Sequence, residues 1–173
     1  MLNPTCATAP SLLGRRLRPT PRNAIAAILT PTDILLDVDV PTKNRAFEEA
    51  AGFIGGLHGL VDEEVHARLV EREKIGSTGI GHGFAIPHAR VKGLSQPIIA
   101  FVRLKCAIEF EAPDGKPVSD MLCLLVPRHA TERHLLLLAE AAEMFCDKSF
   151  REHLRGCLGA AEVHAAFVQW RGA

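Results

Sequence analysis

Short apolar runs alternate with amphipathic stretches along most of the chain, a pattern that predicts both strands and helices. The first run, residues 34–40, reads Ile-Leu-Leu-Asp-Val-Asp-Val and has the length and partial alternation of a strand. Thr42 follows at the position of a helix cap. The residues after it place apolar side chains on one helical stripe: Phe47, Ala50, Ala51, Ile54 and Leu57. We therefore predict a strand and then a helix before Gly59.

A second helix is predicted to begin at Asp62, whose side chain can cap it, and to continue through Arg72. The glycines at positions 76 and 79 end this helix and begin a glycine-rich loop. Beyond the loop, residues 84–86, 98–104 and 121–126 are apolar at consecutive positions, as strands covered on both faces are. Asp114-Gly115 supplies a tight turn between the last two strands.

The last third of the chain is predicted to be helical. Thr131 can cap a helix that carries an apolar stripe of Leu135, Leu138, Ala142 and Phe145. Ser149 and Glu152 have the spacing of a capping box for another helix. Strands interleaved with helices predict the α/β class, specifically a three-layer α/β/α sandwich. Its sheet is expected to be mixed and mostly parallel, with about five strands flanked by helices.

Residues 1–22 differ in texture from the rest, with prolines at positions 4, 10, 19 and 21 and no sustained periodicity. The first 32 residues contain four arginines and no acid. We interpret residues 1–22 as a flexible N-terminal tail and residues 23–173 as one domain. An arginine-rich, acid-free start is also typical of an organelle transit peptide, which is the alternative reading.

Composition narrows the class of protein. With 173 residues, 47% of them apolar, the chain is long enough for one globular domain, and no stretch reaches the roughly 18 apolar residues of a membrane span. Twenty basic residues balance twenty acidic ones, which argues against nucleic acid as a partner. Five scattered cysteines without a CxxC pair argue against disulfides and a thiolate zinc site, and favour the cytoplasm.

The candidate chemistry lies in residues 76–89, Gly-Ser-Thr-Gly-Ile-Gly-His-Gly-Phe-Ala-Ile-Pro-His-Ala. Four glycines in eight residues allow several backbone N–H groups to point into one cavity, as an anion-binding nest requires. The loop lacks the Lys-Ser/Thr ending of a P-loop and the GxGxxG spacing of a dinucleotide site. Spacing alone leaves a phosphoryl-binding loop and an irregular turn both open.

His88 is the candidate reactive group. Pro87 should end the strand before it and leave the imidazole at the edge of the sheet. A neutral imidazole is nucleophilic and can accept a phosphoryl group without a helper base. The alternative is a structural histidine bonded to a backbone carbonyl. Neither His82 with His88 nor His129 with His134 has the spacing of a helical zinc motif, so we expect no metal.

Residues 72–88, Arg-Glu-Lys-Ile-Gly-Ser-Thr-Gly-Ile-Gly-His-Gly-Phe-Ala-Ile-Pro-His, resemble the signature of the fructose/mannitol-type enzyme IIA domains of the bacterial phosphotransferase system. The chain is most similar to their nitrogen-type regulatory branch. The resemblance extends over about residues 23–170 and includes residues 34–38, 45–50 and 112–115. The tail falls outside it.

The resemblance implies a phosphohistidine carrier with no cofactor. An HPr-like donor would pass its phosphoryl group to Nε2 of His88. His134 matches a second histidine that faces the first from the start of a helix, and Arg72 matches the arginine of the family's pocket. Ser77 and Thr78 match polar positions of the signature, and together with Gly79 and Gly81 they are the expected phosphoryl-binding residues of the loop.

Two functions follow from the resemblance. In the first, the phosphorylation state of His88 governs binding to regulatory targets such as potassium-transport or sensor-kinase proteins. In the second, His88 relays the phosphoryl group to a cysteine of a sugar-specific IIB component. We expect regulation, because the sequence contains no attached IIB or membrane IIC domain. Either way the protein would be a cytoplasmic phosphocarrier rather than a turnover enzyme on a small molecule, with no membrane insertion.

Overall fold

Six helices flank a six-stranded sheet in the part of the chain that the computed structural model describes, residues 23–129 and 132–172. The helices are α1 (Ala24–Ile28), α2 (Lys43–His58), α3 (Asp62–Glu73), α4 (Glu132–Cys146), α5 (Lys148–Gly156) and α6 (Ala160–Gln169). The strands are β1 (Ile34–Val38), β2 (Gly79–Gly81), β3 (Phe84–Ala85), β4 (His88–Val91), β5 (Ile98–Ile108) and β6 (Val118–Pro127). The predicted tail and the predicted cap Thr131 lie outside the described residues.

The strand order is β1-β5-β6-β3-β2, and β4 pairs with β6 further along the same strand. Three pairings are parallel, namely β1 with β5, β3 with β6 and β4 with β6. The pairings of β5 with β6 and of β2 with β3 are antiparallel. The predicted mixed, mostly parallel sheet is confirmed, with six strands in the described residues rather than about five.

Alternating side chains of the two long central strands separate the core into two layers. From β5 and β6, residues such as Val102 and Cys123 pack with α2 and α3 on one face. Their neighbours, among them Phe101 and Leu122, pack with α1, α4, α5 and α6 on the other face. Because successive side chains of a strand point to opposite faces, consecutive apolar positions produce a sheet covered on both sides. The three-layer α/β/α sandwich is therefore confirmed.

The predicted cap is confirmed for α2 but not for α3. Thr42 caps α2 as predicted, since its Oγ1 accepts the N–H of Arg45 at 3.3 Å. Asp62 was predicted to cap α3, but Val61 occupies the cap position and Asp62 is the first helical residue. The Asp62 carboxylate instead lies against Gly55 of α2, where even a Cβ atom would come within 1.7 Å of its Oδ1.

The predicted capping box of Ser149 and Glu152 is wrong. Asp147 caps α5, because its Oδ1 accepts the N–H groups of Ser149 and Phe150 at 2.9 and 3.3 Å. Its other oxygen accepts the indole N–H of Trp170 at 3.1 Å. The cap of α5 is therefore Asp147, two residues before the predicted Ser149, and it also holds Trp170 against the start of this helix.

Two leucines of the predicted apolar stripes are exposed rather than buried: Leu57 is 47% exposed and Leu135 is 59% exposed. The turn at Asp114-Gly115 is confirmed, with the N–H of Gly115 bonded to the carbonyl of Ala112 at 2.9 Å. Within the described residues, no helix combines the length and the apolar character that crossing a bilayer requires.

Pro87 interrupts the sheet without ending it, which corrects the prediction that the strand stops before His88. The proline has no N–H to donate, but its carbonyl accepts the N–H of Leu124 at 2.8 Å. Strand β4 then begins at His88, paired in parallel register with Leu124 of β6. The break therefore places His88 at the start of a strand rather than at the end of one.

Candidate functional site

Strand β4 contributes three residues to the lining of a cavity beside the sheet, His88, Ala89 and Arg90. Ala89 and Val91 are buried in the core formed with α2 and α3. Since side chains alternate along a strand, His88 and Arg90 point away from that core. The cavity between the ends of α3 and α4 has a volume of about 410 Å³. Its lining is drawn from α3, β4, β6, α4 and the loop after α3: Arg68, Glu71, Arg72, Ile75, His88, Ala89, Arg90, Val126, His134, Leu135 and Leu138.

The cavity brings together three residues that lie far apart in sequence. Arg72 is in the last turn of α3, His88 begins β4, and His134 is in the first turn of α4. These are the acceptor histidine, second histidine and arginine predicted from the sequence. Their juxtaposition depends on the sheet, because β4 pairs with β6 and α4 follows β6 along the chain.

Two hydrogen bonds fix the tautomer of His88. Nε of Arg72 lies 3.0 Å from Nε2 of His88, and an arginine can only donate. Nε2 therefore carries a lone pair, and the ring proton is on Nδ1, which donates to the carbonyl of Ile86 at 2.9 Å. The backbone of the preceding loop thus orients a neutral imidazole with its unprotonated nitrogen toward Arg72.

The surroundings of His88 also favour the neutral ring. Burial lowers its pKa below the usual 6.5, and the positive charge of Arg72 lowers it further. The hydrogen bond to Ile86 and the charge of Glu73 act in the opposite direction, but they do not outweigh burial. A half-buried imidazole whose pKa is lowered is neutral near pH 7 and has a lone pair available for attack on phosphorus.

Glu73 anchors the glycine-rich loop, a role that the sequence reading did not find. Its Oε2 accepts both the N–H and the hydroxyl of Thr78, at 3.0 and 2.7 Å. Its Oε1 forms an ion pair with Lys43 at 3.0 Å, and Lys43 also reaches Glu111. Burial alone would lower the pKa of Lys43, but these two carboxylates raise it. The same helix end therefore supplies Arg72 to the cavity and Glu73 to the loop.

The four predicted phosphoryl-binding residues of the loop are not among the residues that line the cavity. The hydroxyl of Ser77 donates to the carbonyl of Phe110 at 2.6 Å and accepts the N–H of Gly79 at 3.1 Å. Thr78 is bonded to Glu73, as described above. Gly81 has a φ of +90° and leads into His82, whose N–H donates to Asp114 at 2.8 Å. The contacts of these residues shape the loop itself.

Arg90 is a further cavity residue that the sequence reading missed. Its Nη2 lies 3.3 Å from Nε2 of His134, and its Nη1 donates to the carbonyl of Arg128 at 3.1 Å. The other ring nitrogen of His134, Nδ1, is buried without a hydrogen-bond partner among the described atoms. The available signal was the period of two along a strand, which places position 90 on the same face as position 88.

The arrangement is suited to binding and accepting an oxyanion. The unprotonated nitrogen of His88 lies in the lining of a cavity that also contains three guanidinium groups, those of Arg68, Arg72 and Arg90, and a second imidazole. Guanidinium groups match the geometry of phosphoryl oxygens and stay charged at any cytoplasmic pH. A cavity of this kind can hold a phosphoryl group beside a nucleophile, and phosphoryl transfer needs mainly positioning and charge stabilisation.

Comparison with known proteins defines the class. Residues 27–170 match the family model described as "Phosphoenolpyruvate-dependent sugar phosphotransferase system, EIIA 2". The chain belongs to this family of enzyme IIA domains. The structure of IIA mannitol from Escherichia coli has the same fold, with a TM-score of 0.68 over 80% of this chain and 98% of that one, at 20% identity.

Closer similarities identify the branch. The chain is 39% identical to the nitrogen regulatory protein of Pseudomonas aeruginosa over 142 residues, which cover 82% of this chain and 92% of that protein. The crystal structure of nitrogen regulatory protein IIA-Ntr from Neisseria meningitidis matches with a TM-score of 0.79 and 44% identity, over 84% of this chain and 99% of that one. These relatives assign the chain to the nitrogen-type branch rather than to the fructose/mannitol-type sugar branch.

Proposed function

We propose that this protein is a phosphohistidine carrier that accepts a phosphoryl group on Nε2 of His88 and regulates target proteins according to its phosphorylation state. The observation that carries the proposal is the fixed tautomer of His88. Its Nδ1 proton is donated to the carbonyl of Ile86, and its Nε2 lone pair accepts a hydrogen bond from Arg72 in the lining of the cavity. A mobile arginine side chain is thus the direct partner of this lone pair, so its displacement would leave Nε2 able to attack.

The transfer step needs no proton at the attacking nitrogen. The Nε2 lone pair of His88 forms the new N–P bond while the N–P bond of an HPr-like phosphohistidine donor breaks, and its electron pair returns to the donor imidazole. Nδ1 keeps its proton and its bond to Ile86 throughout. The transition state is loose and its charge is spread over the phosphoryl oxygens, so the protein contributes mainly positioning and positive charge. We expect side chains to supply both, with no metal or cofactor.

Arg72 and His134 take the roles of charge stabilisation. The guanidinium of Arg72 is in contact with Nε2, so a small shift brings it onto the phosphoryl oxygens attached there. His134 contributes from the start of α4. Direct phosphoryl binding by Ser77, Thr78, Gly79 and Gly81 remains a sequence prediction. The hydrogen bonds of Ser77 and Thr78 support a role in holding the loop that lies between Arg72 and His88.

Regulation follows from the change in charge. Phosphorylation converts a neutral ring into a group with about two negative charges, enough to repel an acidic partner surface or to attract a basic one. The relatives named nitrogen regulatory protein support targets of a regulatory kind, and potassium-transport and sensor-kinase proteins are the classes we propose. We expect both the donor and these targets in the cytoplasm. No observation on this chain favours relay to a sugar IIB cysteine.

The test is phosphorylation by a phosphoenolpyruvate-driven donor cascade with labelled phosphate. The wild-type protein should gain one acid-labile, base-stable phosphoryl group, and His88→Gln should gain none. His82→Asn is the matched control, since His82 is exposed in the same loop and its φ of +57° is one that asparagine tolerates. Labelling of His88→Gln at the wild-type level would refute the proposal.

A further inference from the structure

The guanidinium of Arg90 lines the cavity, but its present partners are a histidine and a backbone carbonyl rather than an anion. Its guanidinium is bonded to two neutral acceptors, Nε2 of His134 and the carbonyl oxygen of Arg128. Hydrogen bonds from an arginine to a phosphoryl oxygen are charge-assisted on both sides and are roughly twice as strong as bonds involving neutral groups. A dianionic group arriving in the same cavity would therefore compete for Arg90 successfully.

The contact with Arg90 also fixes the state of His134. Because an arginine can only donate, Nε2 of His134 must be unprotonated, and its proton must lie on Nδ1. That Nδ1 is the buried atom without a partner. In this state Nε2 offers a lone pair rather than a proton, so it cannot donate a hydrogen bond to a phosphoryl group while Arg90 remains in place.

Position along the strand makes an exchange feasible. Arg90 lies two residues after His88 on the same face of β4, and side chains at this spacing are neighbours, about 6.5–7 Å apart at their Cα atoms. The long arginine side chain spans that distance easily, and both residues line the same cavity. Only side-chain rotation is needed to move the guanidinium from His134 toward Nε2 of His88.

We propose that Arg90 is a second phosphoryl-binding arginine, which leaves His134 and binds the phosphoryl oxygens when Nε2 of His88 is phosphorylated. Nε2 of His134 then loses the donor that it has in this structure. This inference rests on the proposed function, because it assumes that the phosphoryl group is on His88. It adds a mechanism by which phosphorylation of His88 changes the side-chain contacts of both Arg90 and His134.

The first test does not depend on transfer. Inorganic phosphate is titrated into the wild-type protein, Arg90→Gln and Arg68→Gln, and binding is followed by NMR through the side-chain resonances of the arginines and histidines. Arg68 is the matched control, since it lines the same cavity but is paired with Glu71 at 2.8 Å. Arg90→Gln should weaken phosphate binding about tenfold, as the loss of one charged hydrogen-bonding group predicts, and Arg68→Gln should leave it unchanged. Equal affinities in the three proteins, or no binding to the wild type, would overturn the proposal.

The second test uses the phosphorylated protein. On phosphorylation, the ¹⁵N chemical shift of Nε2 of His134 should change, because Arg90 no longer donates a hydrogen bond to it. Arg90→Gln should lose this coupling and should hydrolyse its phosphohistidine at a different rate from the wild type, while Arg90→Lys restores part of both effects. An unchanged His134 spectrum in the phosphorylated wild type would refute the exchange.

The two proposals fail in distinguishable ways. If His88→Gln is labelled to the same extent as the wild type, the carrier role of His88 is wrong. The phosphate titration still reports on Arg90 in that case. If His88 is phosphorylated normally and Arg90→Gln behaves like Arg68→Gln in both tests, the carrier role stands and the role of Arg90 is wrong.

Discussion

Arg72 contacts the unprotonated nitrogen of His88 and the start of the glycine-rich loop at the same time. Its Nε lies 3.0 Å from Nε2 of His88, and its Nη1 donates to the carbonyl of Gly76 at 3.0 Å. The guanidinium therefore occupies the position that an incoming phosphorus atom must approach. A small displacement of Arg72 both frees the nucleophile and leaves a permanent positive charge beside the group that arrives.

Replacing Arg72 by alanine should raise the pKa of His88. The guanidinium charge disfavours the protonated ring, so its removal stabilises the imidazolium form. An NMR titration of His88 should show a midpoint below 6.5 in the wild type and a higher midpoint in Arg72→Ala. Arg68→Ala serves as the control and should leave the midpoint unchanged. A midpoint that stays the same or falls in Arg72→Ala would contradict the assigned contact.

The rate of phosphoryl acceptance should fall in acid with an apparent midpoint below 6.5. Only the neutral ring has a free lone pair, and burial lowers the pKa of His88 from its usual 6.5. More than half of the protein should therefore still be competent at pH 6.5, and the loss should begin at lower pH. Single-turnover rates from a phosphorylated donor, measured across this range, provide the test. A midpoint above 6.5 would show that the site does not keep His88 neutral.

Gly79→Ala should destabilise the protein, whereas Gly76→Ala should not. A Cβ at position 79 would lie 2.9 Å from the Cβ and 3.0 Å from the Cα of Ala112, and backbone there cannot move aside easily. Overpacking of this kind costs about 1–3 kcal/mol. A Cβ at position 76 meets nothing within 4 Å, so the free energy of unfolding should change by at most about 0.5 kcal/mol.

Chemical denaturation of both glycine variants measures this difference. Phosphoryl acceptance is the second readout, because Gly79 directly follows Thr78, whose N–H and hydroxyl are bonded to Glu73 next to Arg72. Equal stabilities of the two variants would mean that the approach of Gly79 to Ala112 is not a constraint on the fold.

Arg103→Ala should be among the most destabilising single substitutions. Arg103 pairs with the buried carboxylate of Asp120 at 2.7 Å and also donates to the carbonyls of Leu154 and Cys157 at the end of α5. Its removal leaves a buried charge and two carbonyls without their donor, at a cost of about 3–5 kcal/mol.

Lys105→Ala is the matched control on the same strand. Lys105 pairs with Asp39, and both side chains are largely exposed, so water replaces the lost contact and the stability should change little. The midpoint of urea unfolding measures both variants. A similar loss in the two proteins would show that Arg103 contributes no more than a surface ion pair.

Local sequence patterns predict most of the order of helices and strands. Consecutive apolar runs identify the two central strands, because a strand covered on both faces needs apolar side chains at every position. Thr42 caps α2 wherever the helix packs, since the bond from its Oγ1 to a nearby N–H is local. The same holds for the break at Pro87, which follows from the missing N–H of proline.

Other features depend on residues that meet only after folding. Asp62 lies against Gly55, seven residues away, instead of capping α3, and the cap of α5, Asp147, is also bonded to Trp170, 23 residues away. Local capping rules therefore assigned the wrong cap to both helices. Strand β4 forms because β6 is a parallel partner for the residues after Pro87. With only four residues, the strand is too short for its hydrophobic periodicity to predict this pairing.

The sequence by itself determined the class of fold, because apolar runs and helical stripes are local patterns, and its resemblance to a known family singled out Arg72, His88 and His134 as the candidate groups of the site. Tertiary structure alone decided which nitrogen of His88 is free, that Glu73 holds the loop, and that Arg90 reaches His134 from 44 positions away. The physical reason is that a tautomer, a salt bridge or a shared cavity is set by distances of about 3 Å between side chains, which form only when sheet and helices pack together.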